Sequence, residues 1–428
     1  MSWLFLFVCL IGAALTYNVY RPTYAPARRA ALSFFVGWLT VELALHHIAV
    51  QLLATIGFAW AGALEAWPGK LGLVIAIVSW IALGWRYWAS RESEVVVERA
   101  LQDGLGTDYR SRILPEVSAR FGGGVDWKEI LLPFPVRRAD VERIRDIRYA
   151  RVAGLNLKLD LYRHRSRPTG CPTLLQIHGG AWVLGSKNEQ GLPLMHHLAS
   201  RGWVCVSADY RFSPHATFPD HVVDLKRAVG WIREHGREYG ANPDFLIVTG
   251  GSAGGHLAAL VSLTANDPAF QPGFEEVDTS VQGCVPFYGV YDFTDRHGVW
   301  HHAGLRGLLE HQIMKASLDE APELYEQASP IAQISPDDPP FFVIHGGLDT
   351  MVPVAEARGF CQKFRDTVEA PIVYAEIPGA QHAFEIFPSL RTAFVVQGVE
   401  RFVSYLYSEY LRSLRTPGDE TAPFTATG

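Results

Sequence analysis

Ser252 lies within Gly250-Gly251-Ser252-Ala253-Gly254-Gly255, after the apolar run 245–249 and before the helix-like stretch 256–264. A serine at a strand-to-helix corner walled by glycines can be held with strained dihedrals, its Oγ lifted above a sheet beside a helix N-terminus, and such a hydroxyl can act as a nucleophile. An ordinary glycine-rich turn can match the same pattern, so the strand before it and the helix after it carry the assignment. Two later loops hold residues that could serve this serine. Gly346-Gly347-Leu348-Asp349 follows the run 341–345, and Pro378-Gly379-Ala380-Gln381-His382 follows 372–377, so a carboxylate and an imidazole each sit just past a strand. His382 could take the serine proton and pass it to a leaving group while Asp349 orients its ring. His178-Gly179-Gly180-Ala181-Trp182, after the run 173–177, offers backbone N–H groups to a developing oxyanion. Losing one such donor typically costs about 2.7–4 kcal/mol of transition-state stabilisation. Singly these are surface residues or tight turns; three roles in order at three strand ends argue for chemistry.

The elements that must position them alternate. Runs 173–177, 204–208, 245–249, 283–288, 341–345 and 372–377 read as strands separated by helix-like segments, which predicts a mostly parallel sheet with helices on both faces. Ligands on such sheets bind beyond the carboxyl ends of the strands, where these residues fall. The segment 292–335 interrupts the alternation and is expected to form a helical cap. Its His297, His301, His302 and His311 are not spaced with cysteines or carboxylates as metal ligands would be, so no metal or cofactor is expected.

Charge divides the 428 residues unevenly. Residues 1–90 hold Arg21, Arg28, Arg29, Glu42, Glu65, Lys70 and Arg86 as their only charges, while the chain carries 38 Lys+Arg and 44 Asp+Glu. Apolar stretches 3–19, 30–64 and 71–89 predict three transmembrane spans, the first an uncleaved anchor rather than a signal peptide because no positive segment precedes it. Arginines flank the first loop and follow the third span, whereas Lys70 alone lies between spans two and three; this predicts a cell-membrane protein with its large domain in the cytoplasm. Glu42 and His46 should face protein or water rather than lipid, since a mid-membrane charge costs about 2.5–3.5 kcal/mol. The expected division is 1–90 transmembrane, 91–140 connector or partial cap, 141–412 catalytic and 413–428 a disordered tail. A net charge of -6 argues against a nucleic-acid partner, which needs a concentrated basic face. Five scattered cysteines without C-x-x-C pairing read as buried thiols.

The motifs His178-Gly179-Gly180, Asp209-Tyr210-Arg211 with Pro214 and Pro219, Gly250 to Gly255, His345 to Pro353, and His382 together resemble the α/β-hydrolase serine carboxylesterases of the hormone-sensitive-lipase-like and BD-FAE-like group. The resemblance covers about 141–412. It implies an α/β-hydrolase fold, a Ser252–Asp349–His382 triad, and oxyanion donors from Gly180, Ala181 and Ala253. Ala181 departs from a pattern in which many members have a third glycine, which bears on pocket shape more than on the backbone donor. In that group Asp209-Tyr210-Arg211 supports the oxyanion loop. With its N-terminal spans the chain is similar to membrane-anchored actinobacterial Lip-type esterases. The expected activity is hydrolysis of acyl esters, lipophilic in view of the anchor, with the ester substrate and the lipid bilayer as partners and the oligomeric state open. Acyl transfer or amide cleavage on the same triad is an alternative, as is a non-catalytic binding module on this fold.

Overall fold

The computed structural model describes residues 1–122 and 124–415. The expected tail 413–428 falls mostly outside the described residues. Four helices open the chain: α1 (Ser2–Tyr20), α2 (Ala27–Glu42), α3 (Ala44–Trp60) and α4 (Trp67–Ala89). Then come α5 (Glu92–Leu105), α6 (Pro115–Ser118) and α7 (Trp127–Leu131). Strands β1 (Val141–Val152), β2 (Leu155–His164) and β3 (Cys171–Ile177) precede α8 (Leu192–Ala199), β4 (Val204–Ala208), α9 (Asp220–His235), β5 (Ala241–Gly251) and α10 (Ala253–Leu263). After β6 (Gly283–Phe287) the inserted segment contains α11 (Gly304–Leu308) and α12 (Pro322–Gln327). β7 (Phe341–Gly346), α13 (Val354–Thr367), β8 (Ile372–Ile377) and α14 (Leu390–Ser413) complete the chain.

The sheet has eight strands in the order β1-β2-β4-β3-β5-β6-β7-β8. From β4 through β8 the pairing is parallel, and β2 joins β4 antiparallel. All six expected strands are present. β1 and β2 were not expected, because arginines and an aspartate punctuate their apolar positions; they pair as a long antiparallel ribbon at the edge. Side chains alternate across the sheet as a period of two requires. Leu175, Leu246, Val248 and Val343 point to the face covered by α9, α10 and α13. Leu174, Ile247, Phe342 and Val373 point to the face covered by α5, α8 and α14.

Residues 91–105 therefore do more than connect. Val97 and Leu101 of α5 are fully buried in the second layer, and full burial of such side chains contributes about 1.5–3 kcal/mol each. The approach is close: a Cβ on Gly104 would lie 2.8 Å from the Ile372 carbonyl oxygen, and one on Gly398 would lie 2.2 Å from Val97.

At the N-terminus, α1 and the helix that starts at Trp67 are long and apolar enough to cross a bilayer. The expected second span, 30–64, is broken: α2 and α3 meet at Leu43 with a bend of 86°. Continued straight, the helix would carry Glu42 along an apolar path. Instead α2 lies against the unit built on the sheet, where Glu42 is buried, pairs with Arg391 at 2.8 Å and accepts a hydrogen bond from Ser389 at 2.7 Å. Glu42 thus faces protein, as its charge required.

Arg391 also donates to the carbonyl of Pro378, at the start of the loop that carries His382. Removing one member of a buried pair typically costs about 3–5 kcal/mol because the other charge is stranded. Glu42→Ala is expected to lower the melting temperature of the detergent-solubilised protein by several degrees, measured by differential scanning fluorimetry. An unchanged melting temperature would mean that the pair does not hold α2 in place.

Candidate active site

The elbow forms because β5 runs straight into α10 with one residue between them. Ser252 takes φ 59° and ψ −122°, outside the regions open to most L-residues, and donates its N–H to the Phe287 carbonyl at 3.0 Å. Gly250 and Gly254 beside it have no room for a side chain. A Cβ on Gly254 would lie 2.2 Å from the Ile177 carbonyl oxygen, and one on Gly250 would lie 2.4 Å from the Gly254 oxygen. A Cβ on Gly179 would lie 3.1 Å from the Ser252 Cβ.

Asp349 is buried in the turn after β7, and its carboxylate is fully engaged. Oδ1 accepts the Met351 and Val352 amides, each at 2.8 Å. Oδ2 accepts His382 Nδ1 at 2.6 Å and lies 3.3 Å from His345 Nε2. Burial alone would raise its pKa; the His382 charge and the His345 and His382 hydrogen bonds outweigh that and hold it well below the usual carboxylate range. Asp349 is therefore ionised across the working pH range. Because its folded pKa is depressed, its stabilising contribution is present above the ordinary aspartate value and is lost as pH falls through the folded one.

His382 follows β8 on a loop steadied by Gln381, whose Oε1 accepts the His382 amide at 3.0 Å and the Thr350 amide at 2.8 Å. With Nδ1 committed to Asp349, Nε2 remains for a proton from Ser252. That last hydrogen bond is not formed here, and such bonds commonly tighten only with substrate bound. The structure thus brings Asp349 and His382 together past β7 and β8, and Ser252 stands past β5, two strands from β7 in the same sheet.

Gly180, Ala181 and Trp182 all have positive φ, at 120°, 53° and 61°. Gly180 is required, since a Cβ there would lie 2.0 Å from the Leu184 carbonyl oxygen, whereas Ala181 tolerates its conformation. Among the described residues the Gly180 and Ala181 amides donate to no protein acceptor, and Ala253 opens α10, where the first N–H groups have no partner within the helix. Trp182 anchors the loop from beneath, donating to His256 Nδ1 at 3.2 Å. Asp209-Tyr210-Arg211 supports it from the side. Asp209 accepts the Lys187 amide at 2.9 Å and its ammonium at 3.0 Å, Tyr210 donates to the His178 carbonyl at 3.1 Å, and Arg211 is tied to Asp224 at 2.7 Å.

Sequence reasoning missed two neighbours. Tyr288 follows β6, the strand between β5 and β7; its ring centre lies 4.5 Å from that of His382, and its hydroxyl donates to buried Glu385. Its position past a strand end was a usable signal. Phe34 of α2 meets His382 edge-on at 5.7 Å, and Trp38 continues the stack onto Phe387 at 4.7 Å. No local pattern marks Phe34, which sits in an apolar run like any other.

Burial raises Glu385 from 4.5 to about 7 against the Tyr288 hydrogen bond, so the folded protein keeps a proton that the unfolded chain releases near 4.5. Stability should then fall as pH rises between those values, by roughly 1.4 kcal/mol per unit, and level off above. Glu385→Gln is expected to abolish this component while leaving hydrolysis intact. Denaturant melts from pH 5 to 8 check it, and parallel profiles for the two proteins would sink the assignment.

With this geometry in hand, comparison with known proteins is informative. The BD-FAE family model matches residues 159–364. A probable carboxylic ester hydrolase, LipM, of Mycobacterium tuberculosis is 42% identical over 94% of this chain and 93% of its own length. The esterase LipQ of the same organism is 41% identical over 75% of this chain and 76% of its own. Among solved structures, a truncated carbohydrate esterase from gut microbiota superposes with a TM-score of 0.50, covering 60% of this chain and 96% of its own; at 22% identity it bears on the fold alone.

Proposed function

The chain belongs to the α/β-hydrolase carboxylesterases of the hormone-sensitive-lipase and BD-FAE type and is an ester hydrolase; from that premise we propose that it cleaves lipophilic acyl esters at a bilayer through Ser252, His382 and Asp349. The observation that carries the proposal is the 2.6 Å bond between Asp349 and His382 past β7 and β8, with Ser252 on its strained corner past β5 in the same parallel sheet. His382 Nε2 removes the Ser252 proton as Oγ attacks the ester carbonyl carbon. The resulting oxyanion accepts from the Gly180, Ala181 and Ala253 amides. When the intermediate collapses, the C–O bond to the alcohol breaks and His382 protonates the departing oxygen. Water, deprotonated by the same histidine, then attacks the acyl-enzyme and releases the acid.

The preference for lipophilic esters is supported by α2, which lays Phe34 beside His382 with Trp38 stacked on Phe34 and exposes Leu32, Phe35 and Leu39 elsewhere on its surface. A fluorophosphonate probe should label wild-type protein on the peptide containing Ser252, and rates on chromogenic esters should rise with acyl length from acetate toward octanoate. Labelling at another residue, or a flat length profile, would overturn the respective half of the proposal. The arginine distribution supports a cytoplasmic catalytic domain; a reporter fused after Gly428 that reads as external would overturn it.

A further inference from the structure

A cavity of about 550 Å³ opens where the 134–145 segment crosses β2 and α8, and none of its lining residues belongs to the proposed triad or its amides. Arginines dominate its wall. Arg143 is neutralised by Asp160 at 2.7 Å, but Arg137, Arg145 and Arg165 form no ion pair among the described residues, and Glu189 is the only carboxylate in the lining. Arg137, Arg138, Arg143 and Arg145 fall within nine residues of sequence, and Arg165 joins them from the end of β2. Two polar groups also lack partners there: the Tyr162 hydroxyl and His196 Nδ1 are both buried and make no hydrogen bond, although their rings meet edge-on at 5.3 Å beside the arginines. Native structures seldom leave buried polar atoms unpaired, so each calls for a missing partner. Burial and the charges of Arg138, Arg143 and Arg137 push His196 down to about 4, so it is neutral, and of these arginines Arg137 has no ion pair among the described residues. The chemistry that satisfies guanidinium forks, a phenol and an imidazole together is a phosphate oxyanion.

The rest of the cavity selects the source. Phe134, Leu192 and Ile386 line it, and Leu131, Leu132 and Phe134 are exposed beside it. Phe134 meets Phe387 at 5.3 Å, Phe387 stacks on Trp38 of α2, and His46 of α3 bonds to the Leu131 carbonyl at 3.1 Å. The arginine cavity is thus continuous with the apolar N-terminal helices. We propose that it binds the phosphate of an anionic phospholipid at the bilayer surface, the lipid's apolar part lying along Phe134, Leu192 and Ile386. The proposal rests on the reading that the N-terminal helices sit in a bilayer.

Native mass spectrometry of the full chain in detergent, with equal amounts of dioleoyl phosphatidylglycerol and dioleoyl phosphatidylcholine, tests it. Wild type should retain the glycerol lipid at least about tenfold over the choline lipid, and R137Q/R145Q/R165Q should lose that preference while still hydrolysing p-nitrophenyl butyrate at the wild-type rate. Equal retention of the two lipids by wild type, or a preference that survives the triple change, would overturn the site. Displacement of the glycerol lipid by millimolar inorganic phosphate would reassign the cavity to a soluble phosphate ligand. Should the triple variant aggregate, the histidine NMR signals of wild type decide: His196 must shift with the glycerol lipid and not with the choline lipid. Release of the protein from membranes by carbonate, alongside intact lipid preference in detergent, would refute the spanning helices alone.

Discussion

Replacing Ser252 with alanine is expected to lower kcat/KM on acyl esters by about 10⁴- to 10⁶-fold, with the melting temperature close to that of wild type. The range reflects what remains when a nucleophile is removed: the amides of Gly180, Ala181 and Ala253 still face a polarised carbonyl, and binding still orients it. Ser252 accepts no structural duty through its hydroxyl, which has no protein partner among the described residues, so the fold should not register the change. Alanine must adopt the same positive φ, a modest strain that serine already bears. Rates are best followed with a chromogenic butyrate ester on protein purified in detergent. A variant as fast as wild type would remove Ser252 from the mechanism.

Asp349→Asn should cost about 10⁴-fold in kcat. The amide oxygen can still accept the Met351 and Val352 N–H groups now held by Oδ1, so the turn after β7 survives. The position of Oδ2 is where the substitution acts. There a carboxylate accepts His382 Nδ1–H at 2.6 Å, and an amide NH₂ in its place donates instead, favouring the tautomer whose Nε2 already carries a proton. Such a histidine cannot deprotonate Ser252. It also loses the anion that stabilises the imidazolium formed in the first step. KM should change far less than kcat, because Asp349 is buried beneath His382 and touches no substrate. A proportional rise in KM with kcat preserved would mean that Asp349 shapes the binding site rather than the base.

How much of this was legible in the sequence depends on the distance over which each feature is specified. The elbow is written in six consecutive residues, because a strand, a one-residue corner and a helix are local, and the glycines mark where backbone crowds backbone. Asp349 and His382 were legible by a similar argument, each lying a few residues past an apolar run of strand length. β1 and β2 escaped because an edge ribbon with one face toward water mixes arginine with its apolar positions. The segment 91–105 looked like a connector because only one stripe of α5 is apolar, and nothing nearby says what that stripe covers.

The first ninety residues show the boundary most clearly. Composition alone marked them as apolar helices and marked Glu42 as a residue that must avoid lipid. That Glu42 finds Arg391, that the helix bends by 86° beside it, and that Phe34 consequently leans on His382 depend on groups more than three hundred residues apart in the chain. Over a shorter range, pairing of β1 with β2 brings Arg165 to the wall that Arg137 and Arg145 line. The sequence by itself determined the glycine-walled corner at Ser252, the strand-end positions of Asp349 and His382 and the parallel sheet that presents them, since backbone sterics and hydrophobic period act over a few residues. The tertiary structure alone decided what surrounds that machinery, since burial and charge pairing are settled by whichever distant surfaces the packed chain brings together.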